Sequence, residues 1–267
     1  MRLIFKVLLW LLGLTMAIYM VVCAYFYFAQ DRIIFPAEKL TGDYRFDFPY
    51  PFKEYTIKTS TGTLSGLLFK ADKPKGLIFY LHGNGSELDT WGGIAPAYTS
   101  LNYDMFILDY PGYGKSTGQL TNEKEMLDAI QTAYDTVKAG YSENNIIIMA
   151  HSIGTGPAAW LASQKHPRKL VLLAPYYSIA DMIDQRYPFL PHFFCKYRFT
   201  TYKYIRGVKA PVIIFHGDDD RVINYEASLK LKKHFKRGDR LIILNGQGHD
   251  NIQDNEDYIR ELKAILE

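Results

Sequence analysis

The chain has 267 residues, 48% hydrophobic and 22% charged, with 31 Lys and Arg against 28 Asp and Glu for a net charge of +3. That composition excludes disorder along the whole length, and the charge is too small to point to nucleic acid as the main partner. Only Cys23 and Cys195 are present, which excludes a disulfide framework, and no Cys/His cluster has structural-zinc spacing, so no metal is expected.

The run Val7–Gln30 carries no charge. As a helix rising about 1.5 Å per residue it crosses a hydrocarbon core of about 30 Å. Trp10 stands near one end and Tyr25, Phe26, Tyr27 and Phe28 near the other, where aromatic belts lie. A secretory h-region runs about 7–15 residues, and no small-x-small cleavage site follows this longer run. Residues 1–30 are therefore expected to be an uncleaved transmembrane anchor. Arg2 and Lys6 nearly balance Arg32, Lys39 and Arg45 across it, with a slight lean to an inside N-terminus. Residues 31–51, with Pro36, Gly42, Pro49 and Pro51 among scattered aromatics, read as an irregular connector packed on the domain that follows.

From residue 52 onward short apolar runs alternate with helical stretches. Strands are expected at Tyr55–Thr59, Leu64–Lys70, Gly76–Leu81, Met105–Asp109, Asn145–Ala150, Lys169–Ala174, Pro211–Phe215 and Arg240–Leu244. Helices are expected at Asn122–Ala139 with Thr121 as N-cap, Ile153–Lys165, Tyr225–Lys236 and Asn251–Leu266. The alternation predicts an α/β fold with a mostly parallel, doubly wound sheet over 52–267. Ligands bind such sheets at the carboxyl ends of the strands, and the polar motifs of this chain stand at those ends.

Four of these motifs carry chemistry. Ala150-His151-Ser152-Ile153-Gly154 joins a strand to a helix and approximates G-x-S-x-G, in which a sharp turn lifts a serine above the sheet. Small residues are needed on both sides of that turn, and Ala150 departs from Gly by one methyl. His216-Gly217-Asp218-Asp219-Asp220 supplies a carboxylate, and Asp220, just before the next helix, is the candidate; Asp218 and Asp219 read as solvated turn residues. Gly246-Gln247-Gly248-His249 hangs a histidine from a glycine-rich loop after the last strand. Leu81-His82-Gly83-Asn84-Gly85 follows the first strand of the parallel set, and the backbone N–H groups of Asn84 and Ile153 are the expected oxyanion donors. The chain order Ser152, Asp220, His249 is that of α/β-hydrolases, unlike chymotrypsin or subtilisin. His82, His151 and His216 read as structural.

With LHGNG, LDYPGYGKSTG, AHSIGTG, FHGDDDRV and GQGHDNI in order, the chain resembles the α/β-hydrolase superfamily over residues 52–267. With its apolar N-terminus it looks most like the membrane-anchored serine hydrolases, a branch including acylglycerol lipases and protein depalmitoylases. The resemblance implies hydrolysis of acyl esters or thioesters through an acyl-enzyme, without a cofactor. It also places a cap at 176–206, which is rich in aromatic residues. Tyr176, Tyr177, Phe189 and Phe193 are the candidate substrate contacts, in a cap that is either an acyl slot or an aromatic seal on the core. The expected partners are a lipophilic acyl substrate and the lipid bilayer. The alternatives are a serine peptidase of the same fold, acyl transfer to an acceptor other than water, and a catalytically silent anchored binding protein.

Overall fold

A computed structural model describes residues 1–267, except for the side chain of Phe193. Eight strands form one sheet: β1 (Phe52–Lys58), β2 (Thr63–Phe69), β3 (Gly76–Leu81), β4 (Tyr103–Leu108), β5 (Ile146–His151), β6 (Lys169–Leu173), β7 (Val212–Gly217) and β8 (Arg240–Leu244). Their order is β1-β2-β4-β3-β5-β6-β7-β8. β1 and β2 pair antiparallel at one edge, and every pairing from β4 to β8 is parallel. β3, β4, β5 and β7 are buried along their whole length. Such strands read as unbroken apolar runs because both faces are covered. Period-2 alternation sends Leu77, Phe79 and Leu81 into one core layer and Ile78 and Tyr80 into the other.

The helices are α1 (Arg2–Ile34), the short α2 (Leu88–Trp91) and α3 (Pro96–Thr99), α4 (Glu123–Val137), α5 (Thr155–Gln164), α6 (Ile179–Arg186), α7 (Thr201–Gly207), α8 (Glu226–Lys232) and α9 (Glu256–Leu266). Three expected boundaries are corrected. Asn122, not Thr121, caps α4: its Oδ1 accepts from Glu125 N at 3.1 Å, while the Thr121 hydroxyl donates to the Glu125 carboxylate. α8 stops at Lys232 because the Asp239 carboxylate draws the next segment into a turn, accepting from Lys236 N and Val212 N. α9 begins only at Glu256, capped by Asn255, because Asn251 adopts a left-handed φ of 58°.

α1 is long and apolar enough to cross a membrane, and 6% of its most apolar window is buried by protein. It also runs four residues past the expected end at Gln30, because its last turn is held by the domain. Gln30 Nε2 donates to Phe194 O at 2.8 Å and Gln30 Oε1 accepts from Lys196 N at 2.8 Å. Asp31 receives Tyr197 Oη at 2.8 Å and Lys196 Nζ at 3.2 Å. From Phe35 the chain is irregular, and Phe35 and Phe46 are buried.

Residues 176–206, expected as a cap, hold α6 and most of α7. α7 packs along α5 and belongs to the body of the domain. What remains is α6 and the loop to Thr200, which lie against the second half of α1.

Candidate active site

β5 ends in His151, and the chain turns at once into α5. Ser152 sits at the turn with φ 51°, a left-handed conformation uncommon for a residue with a Cβ. Gly154 makes the turn possible: a Cβ there would meet Leu81 O at 2.5 Å and His82 O at 2.8 Å. Ala150 is fully buried between its partners Leu81 and Leu172, where its one methyl is accommodated.

The structure brings Ser152, Asp220 and His249 together. His249 Nε2 lies 2.9 Å from Ser152 Oγ, and His249 Nδ1 lies 2.7 Å from Asp220 Oδ2. With Nδ1–H donating to the carboxylate, Nε2 presents its lone pair to the serine hydroxyl. Asp220 Oδ1 accepts from Val222 N at 2.9 Å and Ile223 N at 2.8 Å. Burial alone would raise the Asp220 pKa, but hydrogen bonds from His216, His249 and Ile223 N, with the attraction of His249, outweigh it and hold the carboxyl below the ordinary range. Asp218 and Asp219 are exposed, and Asp219 faces Arg221.

Three histidines support this arrangement. His216 Nε2 donates to Ile223 O at 2.8 Å and lies 3.3 Å from Asp220 Oδ2, while its Nδ1 meets Ser228 Oγ at 2.6 Å. His151 Nε2 donates to His249 O at 3.0 Å, which fixes the loop that carries His249. His82 is fully buried with Nδ1 on Gly83 O at 2.7 Å. Burial lowers the pKa of both His82 and His151 to about 4, with the neighbouring His249 adding to the shift at His151, so both rings are neutral at pH 7.

The loop after β3 lies against the serine. A Cβ at Gly83 would stand 3.3 Å from Ser152 Cβ and 2.6 Å from His151 Nδ1, so only glycine lets this backbone approach. The Asn84 side chain is held at both ends: Oδ1 accepts from Tyr113 Oη at 2.8 Å, and Nδ2 donates to Ile34 O, the last residue of α1, at 2.7 Å. Tyr113 belongs to the turn Asp109–Ser116. Asp109 Oδ1 accepts from Leu88 N, and the Ser116 hydroxyl donates to Asp109 O at 2.8 Å. Ile153 is nearly buried at the start of the turn into α5.

The candidate substrate contacts fare differently. Tyr176 is fully buried, with its hydroxyl on Ile153 O at 3.2 Å, and Tyr177 stacks on Tyr202 with ring centroids 4.5 Å apart. Both are engaged in packing. Phe189 is 50% exposed and meets the Phe26 ring of α1 at 6.3 Å. The Phe193 side chain lies outside the described residues. Gln30 and Asp31 carry no motif that marks them, and Tyr113 and His216, though they stand inside LDYPGYGKSTG and FHGDDDRV, take their roles from contacts with distant parts of the chain.

His151, His249 and Asp250 bring one potential ligand atom each within 4.8 Å of one another. Both His249 nitrogens are already committed to Ser152 and Asp220, and His151 Nε2 to His249 O. An ion would have to break the bond of His249 to Ser152 or to Asp220, so the donor set does not fit a resident metal.

A family model described as "Serine aminopeptidase, S33" matches residues 72–205. "Alpha/beta hydrolase domain-containing protein 17C" of Xenopus tropicalis is 28% identical over 236 residues, covering 83% of this chain and 74% of its own length. The human protein "Alpha/beta hydrolase domain-containing protein 17B" is 28% identical over the same share of this chain and 80% of its own. Among solved structures, an esterase of Pyrococcus furiosus superposes with a TM-score of 0.68 at 18% identity, covering 86% of this chain and 95% of its own. An α/β hydrolase of Vibrio vulnificus superposes with a TM-score of 0.69 at 20% identity, covering 81% of each chain. The chain is a hydrolase of the α/β-hydrolase fold and belongs to the serine aminopeptidase S33 (Hydrolase_4) family.

Proposed function

We propose that this hydrolase is anchored in a membrane and cleaves carboxylic esters or thioesters of acyl chains, with Ser152 as nucleophile. The observation that carries the reading is the unbroken hydrogen-bond line from Asp220 through His249 to Ser152. Ser152 Oγ attacks the acyl carbonyl as His249 Nε2 takes its proton, and Asp220 stabilises the imidazolium. The Asn84 and Ile153 N–H groups receive the developing oxyanion. Collapse expels the alcohol or thiol, which takes the proton from His249. Water, deprotonated by His249, then releases the carboxylic acid and regenerates Ser152.

The anchor reading is supported by the exposed apolar surface of α1 together with the bonds from Gln30, Asp31 and Ile34 into the domain. The lipophilic substrate is supported by the apolar junction of α1 with the cap.

The description of the matched family favours a second reading, an aminopeptidase, since the same three residues also cleave amides. One panel separates the two. The full chain in detergent micelles is given p-nitrophenyl esters from acetyl to palmitoyl beside aminoacyl amides, with Ser152→Ala as control. Ester turnover that requires Ser152 and favours medium or long chains is expected. Faster cleavage of the aminoacyl amides than of any ester would replace esterase by peptidase, and no turnover at all would point to a binding protein.

A further inference from the structure

We propose that α1 is one wall of the acyl-chain site, so that the substrate's chain lies between the anchor helix and the cap and enters from the bilayer. This rests on the ester-hydrolase reading above and goes on to assign where the chain binds.

Between the second half of α1 and the cap runs a narrow slot, about 60 Å³ in volume and partly open to the outside. Cys23, Ile33 and Ile34 form its helix side, and Ile183 and Leu190 its cap side. No charged residue lines it. Its one amide, Gln30, is turned to polar partners on every side, donating to Tyr27 O and Phe194 O and accepting from Lys196 N. A slot without charge, lined mainly by apolar side chains and with its one amide satisfied, suits a hydrocarbon chain better than a peptide backbone.

The two ends of the slot fit that occupant. Its inner end is Ile34, whose carbonyl holds the Asn84 side chain, and Asn84 follows Gly83, which abuts Ser152. Its outer end is Cys23, beyond which the helix surface is exposed and largely apolar from Val7 to Val21. From Cys23 to Ile34 the helix rises roughly 16 Å at about 1.5 Å per residue, a length suited to a long fatty-acyl chain. The cap side is fastened to the helix by Tyr19 Oη on Phe189 O at 2.9 Å and by the Phe26 and Tyr187 rings at 5.3 Å. An acyl chain lying in a membrane would therefore meet the slot at the level of the helix, and the loop after β3, joined to the slot's inner end through Asn84, leads from there toward Ser152.

The test compares p-nitrophenyl palmitate with p-nitrophenyl acetate for the full chain in micelles, using Ile183→Trp and Leu190→Trp to fill the slot from the cap side. The ratio of palmitoyl to acetyl kcat/KM should fall at least tenfold. An unchanged ratio, or a parallel loss on both esters, overturns the proposal. A second measurement needs no tolerated substitution. A long-chain fluorophosphonate with a terminal diazirine is reacted with Ser152 in the unmutated chain and irradiated. Cross-links to residues 19–34 or 183–195 are expected, and cross-links confined to other segments contradict the slot. Failure of Ser152 to react at all would instead refute the ester-hydrolase reading, so the two failures are distinguishable.

Discussion

Asp220 is the residue on which the proposed catalytic geometry most depends. Its two oxygens divide the work: Oδ1 is held by two backbone N–H groups, and Oδ2 faces His249 and His216. Asp220→Asn keeps the shape but offers an amide in place of one carboxylate oxygen, which favours the wrong imidazole tautomer. Ester turnover should fall by about ten-thousandfold with the fold intact, as read by kcat and by thermal unfolding. Activity near that of the unaltered chain would mean that another carboxylate orients His249. The choice of Asp220 over Asp218 and Asp219 is legible in sequence from its place before the next helix. The part played by His216 is not, because a histidine after a buried strand gives no sign of which loop will fold back over it.

Among the elements, the strands are the most legible. The continuous apolar run GLIFYL coincides with β3 residue for residue, because β3 is buried on both faces; RLIIL coincides with the edge strand β8, where Arg240 is exposed and only Leu244 is buried. Helix ends are less so. Thr121 and Asn122 are both common cap residues, Asn the stronger, and it is Asn122 that accepts from the first turn. The end of α1 is illegible for a different reason: Asp31 reads as the first residue beyond an apolar span, yet the cap supplies its partners. The same end of α1 reaches the loop after β3 through Asn84, whose side chain bridges Ile34 O and Tyr113 Oη. Tyr113→Phe removes one of these two bonds. A net hydrogen bond is worth about 1 kcal/mol, and kcat should fall about fivefold to tenfold with KM little changed. A change in KM alone would show that the clamp serves substrate binding and not the donors around Ser152.

For the whole molecule, the buried polar groups beneath the site set the response to pH. His82 and His151 titrate at about 4 in the folded chain, against an ordinary value of 6.5. Between those values the unfolded chain binds two protons that the folded chain does not, so stability falls as pH drops through the window. Burial raises Asp109 to about 7, against the opposition of Leu88 N–H, and this works in the opposite sense. The folded chain there holds a proton that the unfolded chain has lost, which favours the fold toward lower pH. Glu87, also raised by burial, works with Asp109, and Asp220, held low, works with the two imidazoles toward the acid end; the expected balance is a net loss on acidification. The thermal midpoint of the micelle-bound chain should fall from pH 6.5 to 4.5, and His151→Gln should flatten that slope. A midpoint that rises on acidification would show that Asp109 dominates.

The central claim is that Ser152 carries the acyl group between two half-reactions. The most direct measurement mixes the full chain with p-nitrophenyl octanoate, quenches within the first turnover, and maps the acylated peptide by mass spectrometry. The account predicts a burst of nitrophenol stoichiometric with enzyme and an octanoyl group on Ser152. An adduct on any other residue, or a burst that survives in Ser152→Ala, would contradict it.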